Sequence, residues 1–582
     1  MTRPAARWTP TVVAAVVVAI VASACSTGAG VTAVRIDVIA DETIPGEPGG
    51  PSTIDWSDCG SSVVADLECA SLTVPLDHER PDGRTIEIAL ARVATAEDDE
   101  RIGSLLFNPG GPGASGIEFL EAASFVVPPE IAQRFDLVSF DPRGVGSSTA
   151  VDCDIEFDDE ITLLEPGDDA GWAALVAESE QLASTCTAET VEIGSWLGTN
   201  NAARDLDLIR EALGDQDLNY VGFSYGTRLG ATYAELFPDR VRALVLDGAV
   251  KPTADFAELD AEQAASLDRA FERFAAACDA DPDCALAPVG PTLEVFASLV
   301  DSLAAVDSLP TDDPDRVLTS GELHLAAIAA LYSTQLWPIL ADGLRAASVE
   351  GDGTLLQALT DSYLGRQADG SYDSSQLAGF TINCADDFVR PPVEVVRAQS
   401  DAAADRTRWF GDFLRASTGC IGGPLPIDPL IVGSAAGTPP ILVIGTTGDP
   451  ATPYEWAVEM AESLESARLY TVESDGHTAF LSVPCVEPVV TAYLVDLDLP
   501  DEGASCAGPA DVDVFPPAGE DDFGALIAFF DCLRDNGADV PEVTVADLLA
   551  DPSGAALLEA IDPTDPSFGL AVLACEDLIP GS

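Results

Sequence analysis

Leu218-Asn219-Tyr220-Val221-Gly222-Phe223-Ser224-Tyr225-Gly226-Thr227 is the stretch that decides how this chain folds. Leu218 to Gly222 has the length and apolar character of a buried strand, and a helical pattern follows from Thr227 to Leu236. Between them stands a serine with a glycine two positions to either side. A strand that turns sharply into a helix strains the backbone at the central residue, and flanking glycines spare the neighbouring main chain a clash with Cβ atoms. The helix N-terminus then points at the oxygen undergoing reaction. A glycine-flanked serine also arises by chance in a chain with 48 glycines; the strand before and the helix after set this one apart.

Outward from that turn, strand and helix alternate. A helical pattern from Ala202 to Leu213 stops at Gly214, and a further strand runs from Arg242 to Leu246. Upstream, Thr85 to Leu90 alternates with period two. Two apolar runs then end in loops: Ser104 to Phe107 before Asn108-Pro109-Gly110-Gly111-Pro112-Gly113, and Phe135 to Phe140 before Asp141-Pro142-Arg143-Gly144. This rhythm predicts an α/β fold with a doubly covered, mainly parallel sheet, and the G-x-S-x-G elbow set within it points to the α/β-hydrolase fold. It breaks over 251–405, where Ala-rich helical segments such as Ala261 to Ala277 and Leu323 to Tyr332 predict an inserted helical lid. Strands return at Pro440 to Gly445 and Ala467 to Val472, so the core divides into 55–250 and 406–507. After Cys506 an acidic connector leads to 515–582, expected to be a separate small C-terminal helical appendage stapled by Cys532 and Cys575.

The 582 residues exceed one ordinary domain of about 150, consistent with a large catalytic domain carrying insertions. A formal charge of −72, from 99 acidic and 27 basic residues, would repel a phosphate backbone and argues against nucleic-acid binding. Residues 1–25 have the form of a signal peptide: Arg3 and Arg7, an apolar stretch Val12 to Val21, then Ala22-Ser23-Ala24-Cys25. That apolar stretch is short for a transmembrane helix, which needs about 20 residues. The ending resembles a bacterial lipobox, whose cysteine is acylated, although Ala22 stands where Leu, Val or Ile is usual; plain cleavage is the alternative. The small, acidic residues 26–54 then read as a flexible tether. With Cys25 set aside, twelve of the thirteen cysteines remain, an even number suited to an oxidising compartment. Their spacing suggests that sequential neighbours pair: Cys59 with Cys69, Cys153 with Cys186, Cys278 with Cys284, Cys384 with Cys420, Cys485 with Cys506 and Cys532 with Cys575. With no C-x-x-C pair and three histidines, a zinc site is not expected, and no other metal or organic cofactor is required.

A serine hydroxyl attacks only if a base takes its proton, and the chain offers His78, His324 and His477. His78 precedes the serine, against the Ser, acid, His order of this fold, and His324 lies in a lid helix among apolar neighbours. That leaves His477, in Asp475-Gly476-His477-Thr478 after a late strand. Asp449, in Gly448-Asp449-Pro450, follows the preceding strand and would orient the imidazole; Asp247, ending the strand after the elbow, is the alternative, and Asp475 is expected only to shape the histidine loop. The tetrahedral oxyanion needs donors: the Tyr225 N–H supplies one, and the loop Asn108 to Gly113 the second, from Gly111 first and Gly110 next.

N-P-G-G-P-G from Asn108, F-D-P-R-G-V-G-S-S from Phe140, G-F-S-Y-G-T from Gly222, G-D-P-A-T-P from Gly448 and D-G-H-T from Asp475 together resemble the secreted tripeptidyl aminopeptidases of actinobacteria, relatives of prolyl iminopeptidase. The resemblance covers roughly 55–506 and leaves the C-terminal segment outside. It implies peptide substrates that lose tripeptides or single residues from a free N-terminus. It further implies an anionic subsite for the substrate amine, for which Asn383-Cys384-Ala385-Asp386-Asp387 is the candidate source, Asp386 before Asp387. Asn108 stands where prolyl iminopeptidases usually have histidine, which favours the tripeptidyl branch. A carboxylesterase or lipase would use the same triad, and a non-catalytic binding lipoprotein is the alternative of a different class.

Overall fold

The computed structural model describes residues 54–61, 64, 66–95, 100–153, 169–252, 256–306, 308–314, 316–367, 370–411, 418–508, 514–515, 522–535, 538, 540–541, 543–550 and 575. The expected export signal, Cys25, nearly all of the tether and much of 515–582 lie outside the described residues.

The strands in chain order are β1 (Ser57–Asp58), β2 (Leu67–Pro75), β3 (Thr85–Val93), β4 (Gly103–Asn108), β5 (Phe135–Phe140), β6 (Leu218–Phe223), β7 (Val241–Asp247), β8 (Leu309–Pro310), β9 (Val317–Leu318), β10 (Ile441–Gly448), β11 (Ala467–Asp475) and β12 (Ser505–Ala507). Among the described residues ten of them form one sheet in the order β1-β2-β3-β5-β4-β6-β7-β10-β11-β12. Pairing is antiparallel from β1 through β3 to β5 and parallel from β5 onward. Every residue of β4, β5 and β6 is buried, which explains their unbroken apolar runs. The solvent-facing residues of β3 alternate with buried ones instead, as befits a strand nearer the edge.

Helices α1 (Gly116–Ala123), α2 (Thr199–Ala212) and α3 (Tyr225–Leu236) precede the lid. One face of the sheet, with Leu106, Tyr220, Leu244 and Val443, packs on Leu206 and Ile209 of α2 and Leu229 and Tyr233 of α3. The other, with Leu105, Val221, Val245 and Leu442, covers Leu120 of α1 and later Val490 and Leu494. Successive strand residues thus serve opposite faces.

Between β7 and β10 the chain runs through α4 (Phe256–Ala280), α5 (Thr292–Val306), the β8–β9 hairpin, α6 (Ser320–Leu331), α7 (Trp337–Arg345), α8 (Thr354–Leu364), α9 (Ser375–Asp386) and α10 (Val393–Ala404). Helix α6 is apolar nearly all round because it runs through the centre of this insert, and a reciprocal Thr319–Glu322 capping box starts it. The second half of the core adds α11 (Tyr454–Ser463) and α12 (Glu487–Asp496), and α13 (Asp522–Asp535) and α14 (Val545–Ala550) follow.

One expectation is corrected here. The C-terminal segment does not stand apart: Phe515, Phe529, Phe530 and Leu533 share a single buried cluster with Phe271, Phe274, Leu323 and Leu340 of the lid. An apolar face on so short a segment finds too little core of its own, and the lid supplies it.

The cysteines pair as their spacing suggested. Among the described residues Cys59 is bonded to Cys69, Cys153 to Cys186 and Cys278 to Cys284. Cys384 is bonded to Cys420, Cys485 to Cys506 and Cys532 to Cys575. The first of these ties β2 to the segment just after β1, and the fourth ties the end of α9 to the stretch that leads back into the sheet.

Candidate active site

Ser224 sits between β6 and α3 with φ +52° and ψ −121°, a strained conformation for a residue with a Cβ. Its N–H donates to the Asp247 carbonyl (2.9 Å), tying the turn to β7. The flanking glycines are sterically required: a Cβ on Gly222 would lie 2.3 Å from the Gly226 carbonyl oxygen, and one on Gly226 2.7 Å from that of Asn108.

The next two strands of the sheet carry the acid and the base. His477 Nδ1 lies 2.9 Å from each carboxylate oxygen of Asp449, which is 1% exposed. Asp449 also accepts from the N–H groups of Ala451 and Thr452 through Oδ1, and from Thr452 Oγ1 and the Thr478 N–H through Oδ2. An ionised carboxylate can only accept, so Nδ1 is the donor in this contact, and in a neutral imidazole Nε2 then keeps its lone pair. The histidine loop lies against the serine turn: the rings of Phe223 and Phe480 stack at 6.3 Å, and Gly248, directly after the residue that binds the Ser224 N–H, approaches His477 Cε1. From the lid, the Tyr332 carbonyl accepts the His477 N–H (2.8 Å) and the tyrosine ring meets the imidazole edge-on at 5.1 Å.

Asp247, the alternative acid, instead receives the Ala479 and Phe480 N–H groups on Oδ2 (3.0 and 2.7 Å). It is fully buried, and burial pushes its carboxyl up to about 7. Asp475 pairs with Arg273 of α4, which also donates to the Gly448 carbonyl, and so braces the loops that carry Asp449 and His477. The other histidines are occupied: His78 Nε2 lies 2.9 Å from Asp205, which binds the buried Arg143 through both oxygens, and His324 Nδ1 donates to the Ser320 carbonyl.

Opposite Ser224 the loop after β4 comes close: a Cβ on Gly110, at φ +107°, would fall 2.6 Å from the Phe223 carbonyl oxygen and 3.2 Å from the Tyr225 N–H nitrogen. The Gly110 N–H donates to Asn108 Oδ1 (3.2 Å). Of the two lid acids expected to meet a substrate amine, Asp386 is 4% exposed, and its oxygens accept the Thr199 N–H and hydroxyl, both at 2.6 Å. Burial pushes it up to about 6, against the pull of Arg228 and of Thr199. Half-buried Asp387 accepts from the Val389 N–H.

Thr452 and Tyr332 were given no role by sequence reasoning. Thr452 had a legible signal, three residues after Asp449 in an Asp-Pro-x-Thr turn whose side chains bind nearby main chain. Tyr332, in a lid helix end, had none.

A nucleophile elbow on a mainly parallel sheet, with acid and histidine on the succeeding strand ends, defines a serine hydrolase of the α/β-hydrolase fold. The chain belongs to that family: the profile described as alpha/beta hydrolase fold matches residues 103–484. Among curated proteins it is similar to the serine protease Hip1 of Mycobacterium tuberculosis, 39% identical over 81% of this chain and 94% of that one. It is also similar to carboxylesterase B of the same organism, 37% identical over 80% and 92%. The tripeptidyl aminopeptidase of Streptomyces coelicolor is 32% identical over 78% and 86%. A solved alpha/beta hydrolase fold protein from Chitinophaga pinensis aligns at 13% identity over 73% and 97%, with a TM-score of 0.33.

Proposed function

We propose that this chain is an exported serine peptidase, led out of the cytoplasm by residues 1–25 and held at the membrane surface through Cys25, that removes tripeptides or other short units from free peptide N-termini. The observation that carries the reading is the Asp449–His477 contact beside the strained Ser224, on a chain whose relatives include a serine protease and a tripeptidyl aminopeptidase.

In this reading His477 Nε2 takes the Ser224 hydroxyl proton as Oγ bonds to the scissile carbonyl carbon. Negative charge collects on the carbonyl oxygen between the N–H groups of Tyr225 and Gly111. Collapse breaks the C–N bond, and His477 returns the proton to the departing amine. Water then attacks the acyl-enzyme, again losing its proton to His477, and Ser224 leaves with that proton restored.

Recognition of a free amine is supported by the carboxyl groups gathered about the first turn of α1. Glu118, on the first turn of α1, is pushed up to about 8 by burial and by Asp141, Asp373 and Glu121. An ammonium group there would favour its ionised form.

The second reading, an esterase, is favoured by the likeness to carboxylesterase B. Matched fluorogenic peptide amides with free and acetylated N-termini separate the two, assayed with the wild-type chain, Ser224→Ala and Glu118→Gln. The expected result is cleavage of free-amine peptides alone, abolished in Ser224→Ala and with KM raised about tenfold in Glu118→Gln, about 1.4 kcal/mol of binding. Cleavage of simple esters but of neither peptide would establish the esterase, and activity surviving in Ser224→Ala would overturn the mechanism.

A further inference from the structure

Helix α9 of the lid touches both sides of the position where the oxyanion would form. Its first half lies on the loop that carries Gly111: a Cβ on Gly113 would be 2.1 Å from the Ser375 carbonyl oxygen and 2.8 Å from the Gly379 nitrogen. Reciprocally, a Cβ on Gly379 would be 2.4 Å from the Pro112 carbonyl oxygen. Main chain is packed on main chain there, with no side chain between to give way.

Its last residue reaches the other side. Asp386 receives the N–H of Thr199, the first residue of α2, on one oxygen and the Thr199 hydroxyl on the other. Thr199 Oγ1 is in turn 2.7 Å from the Tyr225 phenol oxygen. Thr199 is 0% and Tyr225 3% exposed, so no solvent competes for these groups. A threonine hydroxyl has one proton, and an ionised carboxylate can only accept. The direction of the chain follows: Tyr225 O–H donates to Thr199, and Thr199 O–H donates to Asp386. Arg228, one turn further along α3, is the cation facing Asp386, and Asp387 is the neighbouring anion.

We propose that α9 positions both oxyanion donors at once, pinning the Gly111 loop under its first half and orienting Tyr225 through Thr199 with Asp386, which is a positioning residue and not a substrate-binding one. This rests on the reading that the N–H groups of Tyr225 and Gly111 hold the oxyanion. The lid then does more than shape the substrate channel: its seating determines whether the hole has its catalytic geometry.

Asp386→Asn preserves shape but reverses the chain, because its amide N–H must donate to Thr199, whose hydroxyl then donates towards Tyr225. Tyr225→Phe removes the phenol and keeps the backbone N–H. The test is the rate of covalent labelling of Ser224 by a fluorophosphonate, which forms a tetrahedral adduct without needing any particular peptide, together with kcat and KM on the best peptide amide. Wild type, Ser224→Ala, each single variant and the double variant are compared, with Tm as the check on folding. Labelling and kcat are expected to fall roughly 10- to 100-fold in each single variant, short of the loss from deleting a donor outright, with KM nearly unchanged. The double variant should be no worse than the weaker single one, since both break one chain. Wild-type rates in either folded variant, or losses that multiply, would overturn the proposal; Tyr225→Phe alone decides it if Asp386→Asn fails to fold. Failure of the wild-type chain itself to label at Ser224 would instead refute the underlying serine-hydrolase mechanism.

Discussion

Asp247 and Asp449 end neighbouring strands, both face the histidine loop, and they divide its restraint between them. Asp449 holds the ring of His477, and Asp247 holds the main chain two and three residues further on. Sequence order favours Asp449 and keeps Asp247 as the alternative, because each follows a strand on the same edge of the sheet. What separates them is which loop atoms they meet. Asp247 is costly to ionise, raised to about 7 by burial and by the nearby Asp449 against its two backbone hydrogen bonds. Its folded-state pKa lies above the unfolded one, so between the ordinary carboxylate range and about 7 the folded protein binds the extra proton. Stability from this group is therefore full at low pH and declines as pH rises towards about 7, each tenfold difference in proton affinity between the folded and unfolded chain being worth about 1.4 kcal/mol. Asp247→Asn cannot ionise and keeps an acceptor for the loop, so its denaturant midpoint should fall less steeply from pH 4 to pH 7 than that of wild type. Parallel slopes would show that Asp247 does not titrate in that window.

At the scale of elements, the contact between α9 and the oxyanion loop has no tolerance for a methyl group. Gly379→Ala places a Cβ 2.4 Å from the Pro112 carbonyl oxygen, and overpacking of this kind costs roughly 1–3 kcal/mol. A lowered Tm together with a lowered kcat is expected, whereas a lowered Tm with kcat intact would mean that the helix shifts and the loop does not follow. The β–α alternation, the elbow and the glycine loop were legible because each is local: a strand's apolar run, a turn's glycines and a helix's period lie within a dozen residues. The pairing of His477 with Asp449 was legible for a different reason, that only three histidines were available. The work of Asp386 was not, since it depends on Thr199 and Tyr225, which come from two other helices far back in the chain. The Asp-Pro-Arg-Gly turn reads in the sequence as the loop that ends a strand and as part of a family resemblance; in the fold Arg143 is buried against Asp205 and the carbonyls of Pro75, Leu76 and Trp196, a brace that no local pattern announces.

For the molecule as a whole, the described apolar residues of the C-terminal segment belong to the lid's interior. A chain ending at Gly508 would leave Phe271, Phe274 and Leu340 without Phe515, Phe529, Phe530 and Leu533 above them. Each buried side chain of this size is worth about 1.5–3 kcal/mol, so the truncated protein should melt several degrees lower and bind a hydrophobic dye that the full chain excludes. An unchanged melting temperature would return the segment to the status of a passenger. The same long insert has a consequence in time. Ser224 precedes the lid, Asp449 and His477 follow it, and the two parts meet when Leu442, Val443 and Ile444 pair with Val245, Leu246 and Asp247. A chain made from its N-terminus delivers its alcohol first and its proton acceptor only after every lid helix has passed. Until that late, sequence-distant pairing closes, Ser224 lacks the base that the proposed mechanism requires, so a nascent chain is expected to emerge inactive.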